Sequence, residues 1–124
     1  MYISGVRAGF PSPAEDYIEK RLDLNEYLVK HPAATFYVRV EGDSMIGAGI
    51  QSGDILIVDR SLEPAHNKII VAIVDGEFTV KRLLFRGKRI ILAPENDNYE
   101  DLEITDGIDF AVWGVVTSVI HEVH

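Results

Sequence analysis

Asp75-Gly76 constrains this chain more than any other feature, because it stands between two stretches of strand character. Residues 69–74 are six consecutive aliphatics (IIVAIV), and residues 77–85 (EFTVKRLLF) follow at once. A two-residue link of this kind fits a tight hairpin, since glycine takes positive φ without steric cost. The centre of the chain is thereby committed to antiparallel β structure. Strand-like segments at 36–40, 54–59 and 110–120, and a second hairpin through Phe85-Arg86-Gly87-Lys88-Arg89-Ile90, extend the pattern. Short strands joined by close turns predict a mainly β fold, a curled sheet or partly open barrel.

The N-terminal quarter reads differently. Gly5, Gly9, Pro11 and Pro13 break any period, so residues 1–13 are expected to form a flexible arm open to proteolysis. Residues 14–30 have helical character. Asp23 is placed to cap a short helix through Leu24, Tyr27 and Leu28, and His31-Pro32 ends it. Residues 14–124 then form one core domain, as suits a chain of 124 residues that is 47% hydrophobic.

Composition narrows the chemistry. The chain has no cysteine, which removes thiol catalysis, thiolate metal sites and disulfides together. Its net charge of −8 disfavours direct DNA binding; the local basic run of Lys81, Arg82, Arg86, Lys88 and Arg89 reads as a solvated hairpin tip. The longest aliphatic stretch, Ile69–Val74, is far short of the roughly 20 residues of a membrane span. A soluble cytoplasmic protein without a cofactor is the simplest expectation. The ending His121-Glu122-Val123-His124 lacks the i,i+4 helical spacing of a metalloprotease, so no metal site is predicted.

Three short segments carry possible chemistry. Gly42-Asp43-Ser44-Met45 follows a strand and precedes the glycine-rich Gly47-Ala48-Gly49, a setting that presents the Ser44 hydroxyl in a turn. The backbone N–H groups of Ser44 and Asp43 are candidate receivers of an oxyanion. Lys81 lies in a strand, where alternation puts it on one face with Thr79 and Leu83 and leaves Val80 and Arg82 on the other. A serine nucleophile needs a base, and an ordinary lysine is neutral in only about one molecule in 2,500 at pH 7. Burial against apolar neighbours is the means of lowering that barrier. His31, His66, His121 and His124 look poorly placed; spacing leaves a Ser-His-Asp arrangement open, but nothing favours it over Ser/Lys. Lastly, Ala8-Gly9 puts small side chains on both sides of a bond in the arm.

In this order the segments resemble the LexA/UmuD family of self-cleaving serine peptidases, on its UmuD-like, SOS-mutagenesis side. The likeness runs through Gly9-Phe10-Pro11-Ser12-Pro13-Ala14, Asp23-Leu24-Asn25, His31-Pro32, Gly42-Asp43-Ser44-Met45-Ile46, residues 53–59, residues 74–83 and Gly114-Val115-Val116. The resemblance implies a LexA/signal-peptidase-like fold, Ser44 as nucleophile, Lys81 as general base and Ala8-Gly9 as the bond cut. It also implies activation by RecA filaments on single-stranded DNA, a homodimer, and assembly of the shortened chain with a Y-family translesion DNA polymerase. Eight residues before the bond is a short arm for that family, and alanine before the glycine is closer to the repressors.

Three other readings make different predictions. A non-enzymatic β module serving only as polymerase partner would keep Ser44 and Lys81 apart. A signal-peptidase-like enzyme would share the dyad but want a membrane anchor. A repressor would want a helix-turn-helix segment.

Overall fold

The computed structural model describes residues 23–123. The chain divides between Lys30 and His31 into two units. The arm boundary expected at residue 13 and the bond Ala8-Gly9 lie outside the described residues.

In the first unit, helix α1 spans Leu24–Leu28. Asp23 caps it as expected: its carboxylate accepts the Asn25 N–H at 3.0 Å, satisfying one of the open donors of the first turn. The helix closes where the Val29 N–H donates to the Asn25 carbonyl. No residue of α1 is buried.

The second unit is a seven-stranded antiparallel sheet of β1 (Thr35–Arg39), β2 (Ile55–Asp59), β3 (Ile69–Val74), β4 (Glu77–Arg86), β5 (Arg89–Ala93), β6 (Leu102–Ile104) and β7 (Phe110–Ile120). Their order is β1-β2-β7-β3-β4-β5-β6, so the sheet does not close, and β1 and β6 are its edges. Among the described residues the mainly β expectation holds. The β3–β4 hairpin turns on Asp75 (φ 48°) and Gly76 (φ 84°), both left-handed, as a two-residue turn matching strand twist requires. The second hairpin joins β4 to β5 with Gly87 at φ 64°. β6 and the 3₁₀ turn Pro32–Ala34, three residues each, are too short to stand out in the sequence.

Long β7 lies between β2 and β3 and slips register against each. Opposite β3, Val71 faces Gly114 and Ala72 faces Val112, so Trp113 is the extra residue of a bulge. Opposite β2, the slip between Ile57 and Val58 leaves Thr117 as the extra residue. The tight pass at Gly114 is steric: a Cβ there would stand 2.5 Å from Val58 Cγ1.

Side chains pack on both faces of the sheet. One cluster holds Val40, Met45, Ile50, Leu56, Val58 and Val71; the other holds Ile70, Ala72, Leu83, Leu92 and Val115. Met45 and Ile50 belong to the β1–β2 connection, and both are almost fully buried. Each such side chain contributes about 1.5–3 kcal/mol by leaving water, so this loop is anchored into the core.

The two buried carboxylates, Asp54 and Asp59, bracket β2. Asp54 accepts the Gln51 N–H and faces His121 Nδ1 at 2.6 Å. Asp59 accepts both the N–H and the hydroxyl of Ser61, and faces His31 Nδ1 at 2.5 Å. The Ser61 hydroxyl first, and then His31, draw the Asp59 pKa down to about 2. Its unfolded value is about 3.9. A depressed folded pKa means stability that is complete above the unfolded value and lost as pH falls toward the folded one. Wild type should therefore lose melting temperature between about pH 4 and pH 2. Asp59→Asn should show a shallower decline over that window in thermal melts, at lower stability near neutrality. An unchanged slope would mean that Asp59 does not carry the linkage.

Candidate active site

The turn at Gly42-Asp43-Ser44-Met45 is fixed from two sides. Burial of Met45 ties it to the core beneath. From beside it, the segment 95–99 grips the backbone. The Glu95 N–H donates to the Ser44 carbonyl at 2.8 Å, and the Gly47 N–H donates to the Glu95 carbonyl at 2.7 Å. Asn96 Nδ2 donates to the Asp43 carbonyl at 3.0 Å, and the Tyr99 hydroxyl donates to the Asp43 carboxylate. Arg82 on β4 holds this segment in turn, with Nε on the Glu95 carboxylate and Nη1 on the Asn67 carbonyl.

Lys81 comes from the middle of β4, paired with Ile70 of β3. Its Nζ lies 3.1 Å from Ser44 Oγ, 2.8 Å from Thr79 Oγ1 and 3.2 Å from the Val80 carbonyl oxygen. Strand alternation is borne out in that Lys81 and Thr79 meet on one face while Arg82 reaches elsewhere. The separation required of a purely non-enzymatic module is not found. Among the described residues Lys81 forms no ion pair. Burial alone pushes its ammonium below the ordinary lysine value. With two oxygens accepting from Nζ on the Thr79 side, a neutral Lys81 turns its lone pair toward the Ser44 hydroxyl.

These side chains open into a cleft of about 540 Å³. Its walls are chiefly apolar, including Val38, Val40, Val71, Phe78, Val80 and Trp113. Trp113 reaches it from the bulge of β7. Phe36 packs on one side of the indole at 5.3 Å and Phe78 meets it edge-on at 5.9 Å, while the Arg60 guanidinium lies 4.7 Å from the ring centre. Such walls partly desolvate the Lys81 amine.

The described histidines are engaged elsewhere. His31 and His121 face the β2 carboxylates, and His66 Nδ1 accepts the Phe85 N–H. His124 lies outside the described residues. Among the described residues no cluster of three or more His, Asp or Glu side chains is arranged to hold a metal ion, and no helix is long and apolar enough to cross a membrane. Sequence reasoning named Ser44, Lys81 and Asp43 but missed Glu95, Asn96, Tyr99 and Trp113. The only sequence signal for the first three is a polar turn, Glu95-Asn96-Asp97-Asn98-Tyr99, like many surface turns.

Residues 1–117 match a family described as Peptidase S24-like. The chain is 50% identical over 121 residues to protein ImpA of Escherichia coli, covering 98% of this chain and 82% of that one. Against protein MucA of Escherichia coli it is 47% identical over 123 residues, covering 98% and 84%. Against the LexA repressor of Idiomarina loihiensis it is 40% identical over 119 residues, covering 95% and 58%. By the family match and by these likenesses, the chain belongs to the peptidase S24-like family as a UmuD-like member.

Proposed function

We propose that this chain is a serine peptidase that cuts its own arm, residues 1–13, at Ala8-Gly9, with Ser44 as nucleophile and Lys81 as general base. The observation that carries the reading is the 3.1 Å approach of Lys81 Nζ to Ser44 Oγ, made by a lysine whose charge is disfavoured by burial. Membership in a peptidase family supports it.

The chemistry follows from those positions. Neutral Lys81 takes the Ser44 hydroxyl proton as Oγ attacks the Ala8 carbonyl carbon. The N–H of Ser44, with that of Asp43, receives the developing oxyanion. Collapse breaks the C–N bond, and the Gly9 amine leaves with the proton that Lys81 carried. Residues 1–8 remain as an ester on Ser44. Lys81 then takes a proton from water, whose oxygen attacks the ester; as the Oγ–C bond breaks, Lys81 returns that proton to Ser44 Oγ and residues 1–8 are released as the acid. Small residues at 8 and 9 suit an extended strand approaching a nucleophile set in a turn.

Likeness to the LexA/UmuD proteins supports an SOS role for the cut. In this reading RecA filaments on single-stranded DNA stimulate cleavage, and the chain beginning at Gly9 serves, as a homodimer, as accessory subunit of a Y-family translesion polymerase.

Intact mass followed over time tests the peptidase. Wild type is expected to lose residues 1–8, and Ser44→Ala to stay whole. Because the base must be neutral, the rate should rise with pH and level off below the ordinary lysine value of about 10.4. RecA filaments should raise the rate at pH 7. Persistence of the cut in Ser44→Ala would give the nucleophile's role to another residue.

A further inference from the structure

The peptide planes on either side of the Ser44 Cα are held by the 95–99 segment, and none of Glu95, Asn96 or Tyr99 lines the cleft. A trans peptide sends its C=O and its N–H to opposite sides, and no described peptide bond is cis. The Asp43 carbonyl accepts two donors, Asn96 Nδ2 at 3.0 Å and the Ile46 N–H at 3.2 Å. The Ser44 N–H, in the same plane, is therefore turned away from Asn96. In the next plane the Ser44 carbonyl is drawn to the Glu95 N–H. No described acceptor takes the Ser44 N–H. It remains available as a donor beside Oγ.

Asn96 is itself set. Its Oδ1 accepts the Asn98 N–H at 3.0 Å, which leaves Nδ2 to face Asp43. Tyr99 is folded back by its N–H on the Asn96 carbonyl and reaches the Asp43 carboxylate with its hydroxyl. The two side chains thus take the carbonyl and the carboxylate of one residue, the neighbour of the nucleophile.

We infer that Asn96 and Tyr99 are positioning residues for self-cleavage: by fixing Asp43 they aim the Ser44 N–H at the oxyanion. This rests on the peptidase reading above. It adds a part for residues that make no hydrogen bond to Lys81. Loss of one oxyanion donor slows serine peptidases by on the order of 10²–10³, and displacement by about 1 Å has effects near the lower figure.

The test uses the full chain as wild type, Asn96→Asp and Tyr99→Phe. Asn96→Asp keeps shape and the Asn98 contact but sets an oxygen against the Asp43 carbonyl. Tyr99→Phe removes one hydroxyl. Two rates are read across pH 7–10: loss of residues 1–8 by intact mass, and phosphonylation of Ser44 by a small fluorophosphonate, which needs no arm. In that probe reaction the Oγ–P bond forms, P–F breaks, fluoride leaves, and the hydroxyl proton passes to Lys81.

Asn96→Asp is expected to slow both rates about a hundredfold and Tyr99→Phe about tenfold. The pH midpoint should stay in place, because neither change touches Lys81. Rates within twofold of wild type in both variants overturn the inference, and so does a moved pH midpoint, which would place the effect on Lys81. If wild type keeps residues 1–8 but Ser44 is phosphonylated, and more slowly in Asn96→Asp, self-cleavage falls and the positioning stands. If Ser44 of wild type is not phosphonylated, the positioning falls as well.

Discussion

Lys81→Met should leave the chain uncut at every pH while its melting temperature stays level or rises. The two effects separate because, in the proposed mechanism, Lys81 serves chemistry at some cost to the fold. Its ammonium sits half-buried against apolar walls, with hydroxyl and carbonyl oxygens as partners in place of a carboxylate. A partly desolvated charge with no counter-ion opposes folding, and methionine fills nearly the same volume without it. For catalysis the loss is large. General-base assistance contributes about 10²–10⁴ in rate, so cleavage should drop by about 10³ or more. Lys81→Arg sharpens the point: it keeps a cation on β4 but does not give up its proton in the working range. Arginine should be as inactive as methionine. Intact mass gives the rates and thermal melts give the stability. Cutting by Lys81→Met within tenfold of wild type would move the base to another residue.

What was legible in the sequence had local causes. Asp75-Gly76 announced its hairpin because two left-handed residues are what that turn demands, and the period of two in β4 placed Thr79 beside Lys81. Asp23 announced a helix start for the same local reason. The features that stayed hidden depend on partners distant in sequence. Trp113 enters the cleft because β7 is held between two strands whose registers both slip, and nothing in Ala111-Val112-Trp113-Gly114 records that pairing. Asn96 and Tyr99 read as surface turn residues until the fold sets them against Asp43, 53 and 56 positions away. His31 read as a helix terminator, yet it faces the buried carboxylate of Asp59. The two side chains proposed to carry the chemistry, Ser44 and Lys81, were legible by type and order; the frame that brings them within 3.1 Å was not.

Gly47→Ala should damage activity and stability together, through one contact. Gly47 has no need of a left-handed backbone; it is constrained by space. A Cβ there would stand 2.5 Å from the Glu95 carbonyl oxygen and 3.3 Å from the carbonyl carbon. Both are backbone atoms that cannot swing aside as a side-chain tip does. The same oxygen accepts the Gly47 N–H at 2.7 Å, and the Glu95 N–H holds the Ser44 carbonyl. Relief of the overlap therefore pulls the 95–99 segment off the nucleophile turn, or lifts the 3₁₀ turn Ile46–Ala48 away from the core beside Met45. Overpacking of this kind costs about 1–3 kcal/mol. In a domain of this size that corresponds to a melting temperature lower by about 4–15 °C. Cleavage measured well below the melting transition should still be slower by about 10², because the displaced turn misaims Ser44. Gly107→Ala is the control: nothing lies within 4 Å of its Cβ position and its φ is not left-handed. It should stay within about 0.5 kcal/mol of wild type and cleave normally. Equal behaviour of the two variants would mean that the 95–99 segment does not hold the turn, and the role given to Asn96 and Tyr99 would go with it.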